Sequence, residues 1–495
     1  MIARLHTAGT KHRLPRQRSG IYRSVQYVST RGQAPALAFD DVLLTGLARD
    51  GGLYVPAVWP LFSKDDIRSL RGLSYAEVAT RVMAPFVGGT IPENTLRKIA
   101  EDAYGGFGHT AVAPLKQLDG SLWMMELFHG PTLAFKDYAM QILGRLFDHV
   151  LAQRGDRVTI VGATSGDTGS AAIEACRDRD NIDCFILFPH GRVSPVQRRQ
   201  MTTVDAPNVH AIAVEGTFDD CQDLVKAAFG DTEFRDEMTL SAVNSINWAR
   251  IMPQIAYYFW AAVALGAPER TVSFSVPSGN FGNVYSAYAA RNMGLPIETL
   301  VVGTNSNDIL YRYLESGTME ITGVAPTLSP SMDIQVSSNF ERLLFDLLDR
   351  DGDAVLRTMN GFRQSGSYTV EPERHARATA LFRGARADDD EIVATIRAIA
   401  EQTGEVIDPH TAVGIAAARR TQAGRDGSIP MVSLACAHPA KFAEAVERAV
   451  GTAAPLPERM ADLMDRPERQ TVMPNDLSSL KALVRDRAAR RGAAA

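Results

Sequence analysis

Cysteine is scarce in this chain of 495 residues, which contains only Cys176, Cys184, Cys221 and Cys436. No two of them show CxxC spacing. A chain this long does not need a disulfide framework, so we expect a reducing compartment such as the cytoplasm. The ten histidines form no HExxH or comparable cluster, and the sequence therefore predicts no metal site.

A strong excess of one charge is also absent, since 52 basic and 57 acidic residues give a formal net charge of -5. This balance argues against a general nucleic-acid binder. Long hydrophobic runs are missing as well. The most apolar stretch, residues 255–265, is too short to span a membrane and predicts a buried helix. We therefore expect a small-molecule substrate, with neither nucleic acid nor a membrane as partner.

Acidic residues are missing from residues 1–39, which contain seven Arg or Lys. Three interpretations of residues 1–26 stay open: an organelle transit peptide, a solvated basic extension and an over-long gene start. Because the segment lacks a clear amphipathic period, we favour an extension or an over-long start over a transit peptide.

The rest of the chain alternates β-branched runs with helical patterns, and it exceeds the length at which one hydrophobic core keeps growing. Strands are predicted at residues 157–161, 183–188, 209–214, 271–276, 298–302 and 430–435. This alternation predicts an α/β fold with two parallel-sheet domains. The predicted parts are a basic extension (1–26), a mixed, mainly helical segment (27–115), two α/β domains (116–265 and 266–450) and a tail (451–495). Residues 306–390 read as a loop-rich insertion, and residues 481–495 as a frayed helix.

One lysine, Lys136, lies in a mostly apolar stretch, and two glycine-rich loops follow it at residues 162–169 and 277–282. Each loop follows a predicted strand and precedes a predicted helix, where backbone N–H groups favour an anion. Neither loop is a GxGxxG or Walker A sequence, which disfavours nucleotides. A half-buried amine with two anion sites suits pyridoxal phosphate. The alternatives are that Lys136 reaches water or pairs with Asp137, and that the glycines only form turns.

Four motifs in a fixed order make the chain resemble the threonine synthase family, which uses pyridoxal phosphate and has the tryptophan-synthase-β-like fold. They are Phe-Lys-Asp at 135–137, Thr-Ser-Gly-Asp-Thr-Gly at 164–169, Pro-Ser-Gly-Asn-Phe-Gly at 277–282 and Ala-His-Pro-Ala-Lys-Phe at 437–442. The resemblance covers residues 27–450, including the patterns at 27–32 and 50–56.

The resemblance implies roles for residues of these motifs. Lys136 would bind the cofactor as a Schiff base and then move protons. The cofactor phosphate would be held by Ser278, Gly279, Asn280, Phe281 and Gly282. The substrate carboxylate would be received by Ser165, Gly166, Asp167 and Thr168.

Two further assignments leave alternatives open. Cys436 stands where the family commonly has a hydroxyl facing the pyridine nitrogen, and Ser433 is the other candidate. We expect Ser245, Asn247 and Arg250 to help bind the substrate phosphate, because Arg suits phosphate through its bidentate fork. An equally good interpretation is a helix start capped by Asn247.

The resemblance implies conversion of O-phospho-L-homoserine and water to L-threonine and phosphate, by γ-elimination and β-addition of water. Alternatives are a serine/threonine ammonia-lyase or phospho-amino-acid lyase of the same fold, a non-catalytic homologue that binds pyridoxal phosphate, and, more weakly, a nucleotide-binding α/β protein. A monomer or a homodimer is expected.

Overall fold

The computed structural model describes residues 25–424 and 427–494, and side chains as far as residue 488. Residues 1–24 of the predicted basic extension therefore lie outside the described residues. The strands are β1 (Tyr27–Ser29), β2 (Tyr54–Pro56), β3 (Leu115–Gln117), β4 (Leu122–Glu126), β5 (Val158–Ala163), β6 (Ile182–Pro189), β7 (Val209–Glu215), β8 (Leu240–Ser241), β9 (Val272–Pro277), β10 (Ile297–Thr304), β11 (Thr318–Glu320), β12 (Ser367–Thr369), β13 (Phe382–Arg386), β14 (Met431–Ala435) and β15 (Thr471–Pro474).

Helices connect almost all of these strands. They are α1 (Phe39–Thr45), α2 (Lys64–Arg68), α3 (Tyr75–Val87), α4 (Glu93–Tyr104), α5 (Lys136–Arg154), α6 (Asp167–Cys176), α7 (Pro195–Thr202), α8 (Phe218–Gly230), α9 (Thr232–Glu237), α10 (Trp248–Ala264), α11 (Gly282–Asn292), α12 (Ile309–Ser316), α13 (Phe340–Leu347), α14 (Gly352–Ser365), α15 (Pro372–Thr379), α16 (Asp389–Thr403), α17 (Pro409–Gln422), α18 (Ala443–Val450) and α19 (Leu477–Ala494). Short 3₁₀ turns lie at Pro330–Met332, Pro439–Lys441 and Glu458–Met460.

Two large sheets organise the fold. A six-stranded sheet has the order β13-β10-β9-β14-β4-β3 and is parallel except for the pair β3 and β4. A five-stranded sheet has the order β15-β7-β6-β5-β8 and is parallel throughout. Helices cover both faces of each sheet, so their inner strands are almost wholly buried. The predicted α/β fold with two parallel sheets is confirmed.

The helix α10 contains the most apolar stretch of the sequence and is buried along nearly its whole length. It packs against α3, α5 and α11, and thereby joins the N-terminal segment to the core of both sheets. Within the part of the chain that the structure describes, no helix combines the length and apolarity needed to cross a membrane.

The segment 306–390 differs from its prediction as a loop-rich insertion. It forms helices α12 to α15, the antiparallel pair β11 and β12, and the strand β13, which pairs with β10 at the edge of the large sheet. The polar break near Asp351 misled the prediction because it is a helix start. The Asp351 side chain accepts a hydrogen bond from Ala354 N and caps α14.

The predicted domain boundaries also need correction. Strand β4 lies within 116–265, yet it pairs with β14 in the large sheet rather than joining the small one. Strand β15 lies within the predicted tail 451–495 and pairs with β7 in the small sheet, while α19 packs on α8. These pairings join segments far apart in the sequence, so a local hydrophobic pattern does not reveal them.

Candidate active site

Helix α5 begins at Lys136, and a buried turn directly before it fixes the direction of this side chain. Asp137 accepts hydrogen bonds from Thr132 N at 2.8 Å and from Thr132 Oγ1 at 2.6 Å. A Cβ atom on Gly130 would overlap Asp137, so only glycine fits against this carboxylate. The turn therefore keeps Asp137 away from Lys136, and the adjacent pair considered from the sequence does not form.

Lys136 instead pairs with Asp167 at the start of helix α6. Its Nζ lies 3.1 Å from Asp167 Oδ2, and the lysine is only 8% exposed. The other oxygen, Oδ1, accepts from Lys441 Nζ at 2.6 Å and from Gln197 Nε2 at 2.7 Å. Burial by itself would raise the pKa of Asp167, but the two ammonium groups hold this pKa well below its usual range. Asp167 is therefore a buried carboxylate with two cationic partners.

The first glycine loop places a helix N-terminus beside this pair. Thr164 Oγ1 accepts from Gly166 N at 3.0 Å and from Gly169 N at 2.9 Å, which ties the loop after β5 to the first turn of α6. Gly166 has a φ of 153°, a backbone conformation that favours glycine. Ser165 is exposed and Thr168 is half-buried at this helix end. The loop therefore leads directly into the N-terminus of α6, the kind of position where backbone N–H groups favour an anion.

The second glycine loop follows β9 and leads into α11. Ser278 N donates to Gly303 O at 2.9 Å, and Phe281 has a φ of 61° directly before the helix. The loop is held from outside by segment 306–390: Ser337 Oγ donates to Gly279 O at 2.7 Å, and Asn339 N donates to Asn280 O at 3.2 Å. Both glycine loops thus lie at carboxyl ends of parallel strands, where α/β folds bind ligands.

Asn283 in the first turn of α11 was missed from the sequence. Its Oδ1 accepts from Tyr257 Oη at 2.6 Å and from Tyr258 Oη at 2.7 Å, while its buried Nδ2 has no partner among the described residues. A buried amide donor without a partner costs free energy unless a ligand uses it. Its position directly after Gly282 was the available signal.

Ser433 lies within β14 and Cys436 directly follows this strand. The two side chains lie on opposite faces of the chain. Cys436 O accepts from Phe135 N at 2.8 Å, which places Cys436 beside the start of α5. Burial, reinforced by Asp408, raises the pKa of its thiol well above the ordinary value, although Lys136 opposes this. Ser433 instead faces α17, since a Cβ atom on Gly414 would lie 2.8 Å from Ser433 Oγ. Of the two candidates, Cys436 is the one on the side of Lys136.

In the segment before α10, the structure gives Asn247 a capping role. Its Oδ1 accepts from Ala249 N at 2.9 Å and its Nδ2 donates to Leu43 O at 2.8 Å. Ser245 is half-buried, and its carbonyl accepts from Asn339 Nδ2 at 3.2 Å. The cap interpretation of Asn247 therefore describes the observed contacts.

Arg250 is a buried cation with few hydrogen-bond partners among the described residues. Its Nη1 donates to Val243 O at 3.3 Å, its Nε has no partner among the described residues, and no carboxylate in that part of the chain pairs with it. Burial lowers its pKa to about 10. An anionic ligand would compensate this guanidinium.

Known proteins are similar to this chain over most of its length. A family model described as threonine synthase N terminus matches residues 26–104, one described as pyridoxal-phosphate dependent enzyme matches residues 104–360, and one described as threonine synthase, C-terminal, matches residues 411–484. A threonine synthase of Pseudomonas aeruginosa is 58% identical over 461 residues, covering 93% of this chain and 98% of that protein. The chain belongs to the threonine synthase family.

Other members support the same assignment. The threonine synthase of Saccharomyces cerevisiae is 42% identical, over 86% of this chain and 89% of that protein. A crystal structure of a threonine synthase from Brucella melitensis with bound PLP superposes with a TM-score of 0.92 at 56% identity, covering 94% of this chain and 99% of that one. The predicted threonine synthase family, its fold class and its pyridoxal-phosphate cofactor are confirmed. The roles of individual residues stay predictions.

Proposed function

We propose that this threonine synthase family member converts O-phospho-L-homoserine and water to L-threonine and phosphate with pyridoxal phosphate. The observation that carries the proposal is the buried Lys136, whose Nζ lies 3.1 Å from Asp167 with a glycine-loop helix start directly beside it. Its amine is shielded from water, as covalent catalysis by lysine requires.

The residues around the second loop fit the cofactor. Its phosphate would be held at the start of α11 by Ser278, Gly279, Asn280, Phe281 and Gly282. The free Nδ2 of Asn283 would add a donor there, and this partner would satisfy an otherwise costly buried amide. Cys436 would face the pyridine nitrogen as a neutral thiol, because burial keeps its pKa high. When bound, pyridoxal phosphate supplies an electron sink conjugated to the substrate α-carbon.

The substrate carboxylate would lie at the first loop, at Ser165, Gly166, Asp167 and Thr168. Both oxygens of the Asp167 carboxylate are occupied by lysines, so we assign its contribution to the backbone N–H at the helix start rather than to its side chain. Lys136 Nζ would remove the α-proton and later a β-proton, since it lies within reach of this end of the site.

The substrate phosphate would be bound by Arg250 and Ser245. Arg250 N donates to Asn247 O at 2.9 Å, so the helix cap formed by Asn247 orients the arginine. Asn247 would thus support phosphate binding indirectly, by orienting Arg250, because its own side-chain amide already bonds to Ala249 and Leu43.

The test is an assay of phosphate, threonine and ammonia released from O-phospho-L-homoserine by the purified protein with pyridoxal phosphate. We expect equal amounts of phosphate and threonine from the wild type and neither from Lys136→Ala. Ammonia with an oxo acid and no threonine would instead indicate an ammonia-lyase. A wild type no faster than Lys136→Ala would indicate a non-catalytic homologue.

The proposal includes two further expectations, one on the cellular compartment and one on the oligomeric state. All four cysteines are buried free thiols, which supports a reducing compartment such as the cytoplasm. A monomer or a homodimer would suffice, since every residue assigned above comes from one chain.

A further inference from the structure

Lys441 is a completely buried lysine that has no role in the function proposed above. Its side chain is 0% exposed, and its Nζ lies 2.6 Å from Asp167 Oδ1 and 2.8 Å from Thr132 O. It belongs to the 3₁₀ turn Pro439–Lys441 after β14, whereas Asp167 begins a helix on the small sheet. One carboxylate therefore holds two ammonium groups, one on each of its oxygens.

The two lysines differ in what they can do. Lys136 would give up its ammonium contact with Asp167 if its Nζ bonded covalently to the cofactor. A buried carboxylate that loses its only counter-ion is strongly destabilised, because neither water nor another cation replaces it. Lys441 is held by Thr132 O and lies deeper than Lys136, so it stays on Asp167 whatever Lys136 does.

We infer that Lys441 is a positioning residue that serves as the standing counter-ion of Asp167 and so frees Lys136 to react with the cofactor. This inference rests on the proposed function. Because Lys441 neutralises Asp167, the negative charge of this carboxylate does not keep the Lys136 amine from reacting.

The neutral groups that contact Asp167 do not replace a cation. Gln197 donates to Oδ1 at 2.7 Å and Ser331 Oγ lies 3.5 Å from Oδ2, but both are neutral. The buried His410 is bound through Nδ1 to Asp408 at 2.7 Å, and its Nε2 accepts from Ser331 N. Both ring nitrogens of His410 are thus engaged by Asp408 and Ser331. Lys441 is thus the cation that remains when Lys136 leaves.

The experiment measures how fast Lys136 captures pyridoxal phosphate in cofactor-free protein, trapped by borohydride reduction and located by peptide mass spectrometry. Lys441→Met leaves Asp167 with Lys136 alone, so we expect capture at least about tenfold slower than in the wild type. Lys441→Met combined with Asp167→Asn removes both charges, and we expect capture within about threefold of the wild-type rate. Lys441→Arg keeps the charge and should capture within about threefold of the wild type.

A merely structural lysine predicts a different pattern. Capture by Lys441→Met at the wild-type rate would overturn the inference, and so would a double variant as slow as Lys441→Met. If Lys441→Met does not yield folded protein, the double variant still tests the inference, because residue 167 then carries no negative charge for Lys136 to leave and capture should stay within about threefold of the wild-type rate. Failure of the wild type itself to capture pyridoxal phosphate at Lys136 would refute the proposed function instead.

Discussion

Asp137, the neighbour of Lys136, gives the stability of the fold a pH dependence that can be calculated. The side chain is completely buried, and burial raises its pKa from 3.8 to about 6, although Thr132 and Lys441 oppose the shift. The folded protein therefore binds this proton more tightly than the unfolded chain does. The stability associated with Asp137 is fully present below pH 3.8 and is lost as the pH rises to about 6. A shift of about two units corresponds to a loss of about 3 kcal/mol.

Asp137→Asn removes this titration and keeps the shape of the turn. The new Oδ1 accepts from Thr132 N, and the Thr132 hydroxyl rotates to accept from the new Nδ2. Between pH 4 and pH 7 we expect the free energy of unfolding of the wild type to fall by about 2 kcal/mol more than that of the variant, because part of the full effect is already lost at pH 4. Urea unfolding at several pH values, without added cofactor, measures the difference.

The matched control is Asp223→Asn, at an exposed carboxylate that pairs with Lys226 on the surface of α8. This variant should keep the pH dependence of the wild type, because surface ion pairs contribute little. Equal pH dependence in the wild type and Asp137→Asn would refute the argument that burial sets the affinity of Asp137 for its proton.

Two further predictions concern the phosphate end of the site and the first glycine loop. Arg250→Met should raise the KM for O-phospho-L-homoserine about 100-fold without slowing covalent capture of pyridoxal phosphate, since charge-assisted bonds to phosphate contribute about 3 kcal/mol. Steady-state kinetics beside the capture assay check this, and an unchanged KM would exclude Arg250 from the substrate site. Gly169→Ala should lower the free energy of unfolding by about 1–3 kcal/mol, because the new methyl group would overlap Thr164. The control Gly361→Ala, also within a helix but with no atom within 4 Å of the new Cβ, should instead stabilise slightly in urea unfolding; equal effects of both changes would contradict the packing argument.

Local sequence patterns predict much of the site. Strands β5 and β9 are β-branched runs that end at glycine loops, and each loop leads into a helix as expected. The apolar setting of Lys136 correctly indicates a buried amine. These features depend on residues within about ten positions of one another, so periodicity and turn chemistry are sufficient to find them.

Contacts between distant segments could not be predicted in this way. The sequence offers Asp137 as one alternative partner of Lys136, but a tight turn directs Asp137 to Thr132, and Asp167 is the observed partner. Lys441 is part of a motif that identifies the family, yet its contact with Asp167 depends on how the two sheets lie together. The pairing of the edge strand β15 with β7 could not be predicted from local patterns either, since sheet pairing is a tertiary property.

The bond between Lys441 Nζ and Thr132 O joins residues 309 positions apart and has a consequence for synthesis of the chain. A ribosome that has made Lys136 and both glycine loops has not yet made Lys441 or strand β15. Asp167 lacks its second cation until Lys441 emerges, and the small sheet lacks its edge until β15 emerges. Contacts of such long range form slowly. The edge of the small sheet at β7 should therefore stay exposed to other chains until β15 emerges, and a chaperone would be of most use during that interval.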